Sequence, residues 1–102
     1  MDIYPAQPPA QRQPGDTATM TISARPSARW FRFAARVTGV PIGQRCRLVV
    51  VARDGGEYTA GAWTVTAESE VVDGLTQLAP WQVYAVELRD AAGDLLSRRR
   101  MI

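Results

Sequence analysis

Three groups of residues in this chain are of types that could do chemistry: the single thiol of Cys46, the acid pairs Asp54/Glu57 and Asp90/Asp94, and the run Arg98-Arg99-Arg100. A thiol can attack an electrophile, paired carboxylates can trade a proton, and clustered guanidiniums can hold an anion. Each lacks the companions its chemistry needs. The sequence has no histidine and all 12 of its basic residues are arginine, so the commonest general bases are missing. A serine or cysteine nucleophile is then left without its usual activator. Cys46 sits in the apolar run Cys-Arg-Leu-Val-Val-Val, where a thiol behaves as a small hydrophobe of raised pKa.

The acid pairs fare no better. Each straddles a hairpin tip, which offers no deep cleft of the kind that two glycosidase carboxylates flank. Turn formation accounts for Asp54, Asp90 and Asp94 more simply, because an aspartate side chain caps the backbone of its own turn. With one cysteine and no histidine, a zinc site is not expected, and no DxDxDG run suggests calcium. The single thiol also leaves no internal disulfide. The expectation is a protein that is not an enzyme and carries no cofactor or metal.

Arginines and aromatics are the remaining candidates. In a strand, Arg98, Arg99 and Arg100 alternate faces and form no stripe, while Arg32 and Arg36 share a face as on any solvated sheet. That pattern argues against a nucleic-acid partner. Trp63 and Tyr84 are expected in the core. Trp30 and Trp81 begin strands close after Pro26 and Pro80 and are expected to be exposed. The candidate partner-binding surface is therefore Trp30, Arg32, Arg36 and Trp81.

The elements that must position these residues follow from composition and period. A chain of 102 residues, 46% hydrophobic and 22% charged with a net charge of +2, suits one globular domain with one core. No apolar run approaches the ~20 residues that span a bilayer, and the start MDIYPAQPPA lacks the basic and apolar regions of a signal peptide. Residues 1–15 carry prolines at 5, 8, 9 and 14 and read as an extended linker or stalk, with the domain covering 16–102. From there the hydrophobic period is two. Strands are expected at 17–23, 29–38, 45–52, 57–66, 71–78, 82–90 and 95–101. The third has little polar face, as befits a central strand, and the fifth is interrupted by Asp73-Gly74. Asp54-Gly55 reads as a tight hairpin turn, and Gly93 as the left-handed residue of a longer one. Tyr58 and Trp63 would face opposite sides of an unbroken strand, and a bulge at Gly61 would bring them to the same face. The fold class is all-β: a seven-stranded antiparallel β-sandwich, immunoglobulin/fibronectin-like.

With these motifs in place, VTGVPIGQRCRLVVVARDGGEYTAGAW (37–63) resembles the extracytoplasmic C-terminal domain of actinobacterial membrane-bound anti-sigma factors of the zinc-binding type. VYAVELRDAAGDLLS (83–97) is similar to that family's closing hairpin. The resemblance spans about residues 17–98. It implies a non-catalytic sensory or protein-interaction domain outside the membrane, part of a single-pass protein whose sigma-factor release it regulates. A regulatory protease or a signal protein is the implied partner, with membrane contact only through an anchor outside this sequence. The family's zinc-binding histidine-cysteine motif and membrane helix have no counterpart here, so no residue inherits a zinc- or sigma-binding role. A second resemblance, LAPWQVYAVELRDAAG (78–93), is to the penultimate strand of fibronectin type III domains, with Leu-x-Pro followed by Tyr-x-Val. It implies an accessory module of a secreted protein, with a glycan as possible ligand.

Overall fold

Alternation of apolar and polar residues becomes seven antiparallel strands in the computed structural model, which describes residues 18–25, 27 and 29–101. They are β1 (Thr19–Arg25), β2 (Phe31–Thr38), β3 (Arg45–Ala52), β4 (Glu57–Thr64), β5 (Ser69–Thr76), β6 (Val83–Asp90) and β7 (Leu95–Arg100). A three-stranded sheet in the order β1-β2-β5 faces a four-stranded sheet in the order β4-β3-β6-β7. This is the expected sandwich, and β3 is central, between β4 and β6. The stalk expected at residues 1–15 lies outside the described residues.

The core fills the space between the sheets. Phe31, Phe33, Ala35 and Val37 of β2 meet Cys46, Leu48 and Val50 of β3 and Val86 and Leu88 of β6, all buried. Strand residues of the opposite parity, Arg32 and Arg36, are exposed, as a pleat dictates. Val65 lies just past the end of β4 yet is 2% exposed. Its N–H donates to the Gln44 carbonyl, and its own carbonyl accepts from Gly43 N–H at 2.8 Å, so it pins the β2–β3 connection to the core.

The hairpins form as their residues dictate. Gly55 and Gly93 take φ of 93° and 90°, and Asp54 Oδ1 accepts the Gly56 N–H at 2.9 Å. Asp90 Oδ1 accepts from both Ala92 and Asp94 N–H.

Three details differ from expectation. The β4 bulge falls one residue early: Leu48 pairs with Gly61 and Val49 with Thr59, leaving Ala60 as the extra residue. It still puts Tyr58 and Trp63 opposite inward-facing Val50 and Cys46. The strand over 71–78 is not interrupted at Asp73-Gly74. β5 runs through, because Gly74 stands opposite Phe33 and its bare backbone receives the phenyl ring. Tyr84 is not in the core. Ala52 pairs with Val83 and Val51 with Ala85, so Tyr84 is a bulge residue, and Val83 fills the core in its place. Glu87, on the outer face of the four-stranded sheet, is nonetheless 1% exposed.

Candidate functional site

Glu87 is a buried acid whose charge is met by two arginines. Arg89, two residues along β6 and hence on the same face, donates through Nε at 2.9 Å to Oε1. Arg98, its cross-strand partner on β7, donates through Nε at 2.9 Å to Oε2. Arg89 also reaches Glu57 Oε2 at 3.4 Å. Burial alone would push the Glu87 carboxyl up, but the hydrogen bonds and charges of Arg89 and Arg98 outweigh it and hold the group below the ordinary carboxylate range. Both oxygens are committed, which leaves no lone pair aimed at a substrate.

Glu70 is committed as well. It accepts from the Trp63 indole N–H at 3.1 Å and from both the N–H and the hydroxyl of Thr66. Those bonds, that of the Thr66 hydroxyl foremost, lower its pKa. They also tie β4 to β5 across the open side of the sandwich, and satisfy the polar edge of a tryptophan packed against the core.

Cys46 is 3% exposed, and burial, then Asp90 and Glu70, push its thiol up. Its expected behaviour is inertness: Ellman's reagent at pH 8 labels the folded chain at least ~100-fold more slowly than the urea-unfolded chain, because labelling waits on opening of the core. Comparable rates would show that the thiol is accessible. Among the described residues no group of three His, Cys, Asp or Glu side chains could hold a metal ion. No described helix is long and apolar enough to cross a membrane.

The site with the shape to receive a ligand is an open cleft of about 680 Å³ between the edge strands β4 and β5, at the end of the sandwich opposite the β2–β3 connection. Trp30, Tyr58, Leu75 and Leu78 give it an apolar lining, with Glu57 and Gln77 as polar members. Trp30 stands just before β2, its N–H held by Ser27 Oγ at 3.3 Å. Tyr58, second residue of β4, reaches the mouth past the end of the core, and Leu75 faces outward from β5. The three are 37%, 43% and 43% exposed, large apolar side chains left at one surface. Trp30 and Leu75 also border a second hollow of about 420 Å³ with Ser27, Arg29 and Arg32. Arg25 and Arg32 stand directly opposite each other across β1 and β2, with Asp73 lining a hollow that both border. Glu57 marks the β4 rim.

Of the four residues proposed from sequence, the fold brings together two. Trp30 and Arg32 share the hollow. Arg36 lies further along β2, opposite Val71, away from the cleft. Trp81 is 71% exposed on a single 3₁₀ turn, Pro80–Gln82, where its carbonyl accepts from Arg53 Nε at 2.8 Å, and it stands outside the cleft lining. Tyr58 and Leu75 were not singled out as surface. Their membership depends on two strands distant in sequence meeting at one edge, which no local pattern reports.

Comparison with protein-family models, with curated proteins and with solved structures gives no match. The strand order itself defines the class: an immunoglobulin/fibronectin-like sandwich in which the fourth strand joins the four-stranded sheet beside the third. One hallmark is absent. A tyrosine near the start of the penultimate strand commonly turns its hydroxyl back to upstream backbone. Here the Tyr84 hydroxyl instead accepts from Arg100 Nη1 at 3.4 Å, with the guanidinium carbon 6.0 Å from the ring centroid.

Proposed function

We propose that this chain is a non-catalytic binding module that recognises an extended protein segment in the Trp30–Tyr58 cleft. The observation that supports this most is the pair of half-exposed aromatics flanking Leu75 at a mouth between two edge strands. Flat apolar faces with a few polar groups at the rim suit a peptide. Of the acids and thiol singled out above, Glu57 lines the cleft, while Cys46 is in the core and Asp54 and Asp90 cap turns. The resemblance of residues 37–63 sets this role in signalling, as the extracytoplasmic domain of a membrane-anchored anti-sigma factor whose partner is a regulatory protease or a signal protein. A reading frame that encodes neither a membrane helix nor a zinc-binding segment ahead of residue 1 would remove that setting.

A second reading, a fibronectin-like accessory module that binds glycan, draws on the highly exposed Trp81 and on the strand order. The absence of the tyrosine hydrogen bond weighs against it. One experiment separates the two. The full chain is titrated with an array of extended, proline-containing peptides and with soluble polysaccharides, alongside the Trp30→Ala/Tyr58→Ala variant. The expected result is saturable peptide binding that the double variant loses by ~10-fold or more, as anchors at an interface centre do. Polysaccharide binding without peptide binding would favour the accessory module, and binding of neither would sink the peptide reading.

A further inference from the structure

We infer that the outer face of the four-stranded sheet is a docking surface for a membrane rich in acidic phospholipid, held by a band of five arginines from β3, β6 and β7. The inference is independent of the peptide cleft, which lies at the β4–β5 edge. Three observations carry it.

The first is placement. Arg47 stands opposite Arg89, Glu87 opposite Arg98 and Ala85 opposite Arg100. Arg45, two residues from Arg47, shares its face. The band crosses from β3 to β7, about 10 Å, and runs about 20 Å along the strands. Of the terminal arginine run only Arg98 and Arg100 belong to it, because Arg99 turns the other way to the Met20 carbonyl. No local pattern marks this band, since its members come from three strands.

The second is charge. Against five guanidiniums the face carries two carboxylates, Glu57 and Glu87, an excess of three positive charges. Arg89 and Arg98 are the members that form ion pairs, whereas Arg45, Arg47 and Arg100 pair with no described carboxylate. Asp54, Asp90 and Asp94 belong to the hairpin turns at the two ends of the sheet. Arg45, Arg98 and Arg100 are exposed and Arg47 is half-buried. Like charges set side by side in this way repel, and an anionic surface brought to them relieves the repulsion.

The third is what lies beneath and beside the charge. Val49, Ala85 and Glu87 fill the middle of the face and are 2%, 0% and 1% exposed, a closed floor with no groove to grip a polypeptide. The exposed aromatics Trp30, Tyr58 and Trp81 are not on this face, so a nucleic-acid base finds no ring there to stack on. Leu95, opposite Arg89, adds an apolar side chain that is 52% exposed. Lipid headgroups need neither groove nor ring. Each arginine close to an acidic leaflet adds its own favourable increment, and an exposed leucine can enter the interfacial layer.

The test uses the full chain and sucrose-loaded vesicles, of phosphatidylcholine alone or mixed with phosphatidylglycerol, read by co-sedimentation. Wild type is expected on the mixed vesicles only, and is released as salt rises from about 50 to about 300 mM. Arg45→Gln/Arg47→Gln, which leaves the partners of Glu87 in place, weakens partitioning by ~10–30-fold. Arg25→Gln/Arg36→Gln removes the same charge from the other sheet and changes partitioning by less than ~3-fold. In mixed bicelles carrying a gadolinium-chelating lipid, the wild-type amide signals of Arg47 and Leu95 are quenched before those of Arg36 and Val71, a readout that needs no variant. Equal binding to neutral vesicles, equal losses in the two double variants, or quenching of both faces alike would each overturn the inference. So would binding of polyglutamate or a single-stranded oligonucleotide through these arginines with no binding to vesicles, which would make the face a site for a soluble acidic polymer. Failure on any of these counts leaves the peptide reading of the cleft standing.

Discussion

Gly74→Ala lowers stability by about 3 kcal/mol, seen as a fall in melting temperature of roughly 12–24 °C. A methyl group at this position would sit 2.7 Å from Phe33 Cε1 and Cε2, and closer still to Cζ. Phe33 is 1% exposed and stacks on Phe31 with ring centroids 5.0 Å apart, so the ring cannot swing into solvent. Either the ring leaves its rotamer or β5 moves off β2, and both loosen the three-stranded sheet. The control is a double-mutant cycle. Phe33→Leu alone opens space and costs about 1–2 kcal/mol, but in its presence Gly74→Ala costs much less than alone, because the clash is gone. Additive losses would show that the ring is not what excludes a side chain at this position.

The second large effect concerns Glu87. Replacing both guanidiniums, Arg89→Ala/Arg98→Ala, removes the charged partners of Glu87 together with side chains that cover it on the outer face, and destabilises the fold by about 1–3 kcal/mol at neutral pH. Glu87→Leu costs less, because the side chains left behind, Arg89 and Arg98, are 22% and 48% exposed and can turn to water. The sign of the pH dependence reverses between wild type and the double-arginine variant. In wild type the folded carboxyl lies below its ordinary range, so its stabilisation is complete above about pH 4.3 and is lost as pH falls through the folded value. In the variant the arginine hydrogen bonds and charges are gone, and the burial the carboxylate keeps acts to raise its folded pKa. That form gains stability as pH falls and Glu87 takes up a proton. Urea unfolding between pH 7 and 4 should therefore show the two proteins converging. A gap that does not change with pH would mean that the ion pairs contribute packing but no electrostatic stabilisation.

Much of the sandwich is readable in the sequence, because period two is a local signal. β3 spans Arg45–Ala52 as its apolar-rich run suggests, and its small polar face marks it as central. What stayed hidden depends on partners far away in sequence. Asp73-Gly74 and Asp54-Gly55 are the same dipeptide, yet one is strand and the other turn. The difference is Phe33, 41 residues from Gly74, needing a bare backbone beneath it. Glu87 alternates like any outward residue, and only the arrival of Arg98 from β7 makes its burial tolerable. Of the candidate site, Trp30 was legible as an exposed aromatic at a strand start. The cleft around it was not, because Tyr58 and Leu75 meet only when β4 and β5 close one side of the sandwich.

One clasp has mechanical meaning. Arg99 Nε of β7 donates at 2.6 Å to the carbonyl of Met20 in β1, bridging the two sheets on the side opposite the cleft. The chain enters by Ala18 beside the end of β2. It leaves at Met101, whose N–H is fixed to the Tyr84 carbonyl near the start of β6, toward the other end. β1 and β7 run in the same direction, so tension between these two points would load their hydrogen-bond ladders lengthwise. Bonds loaded in shear must break together and not one at a time from an end, and the guanidinium staple adds a transverse brace. A module strung by its two ends would thus transmit a pull along its long axis before it yields.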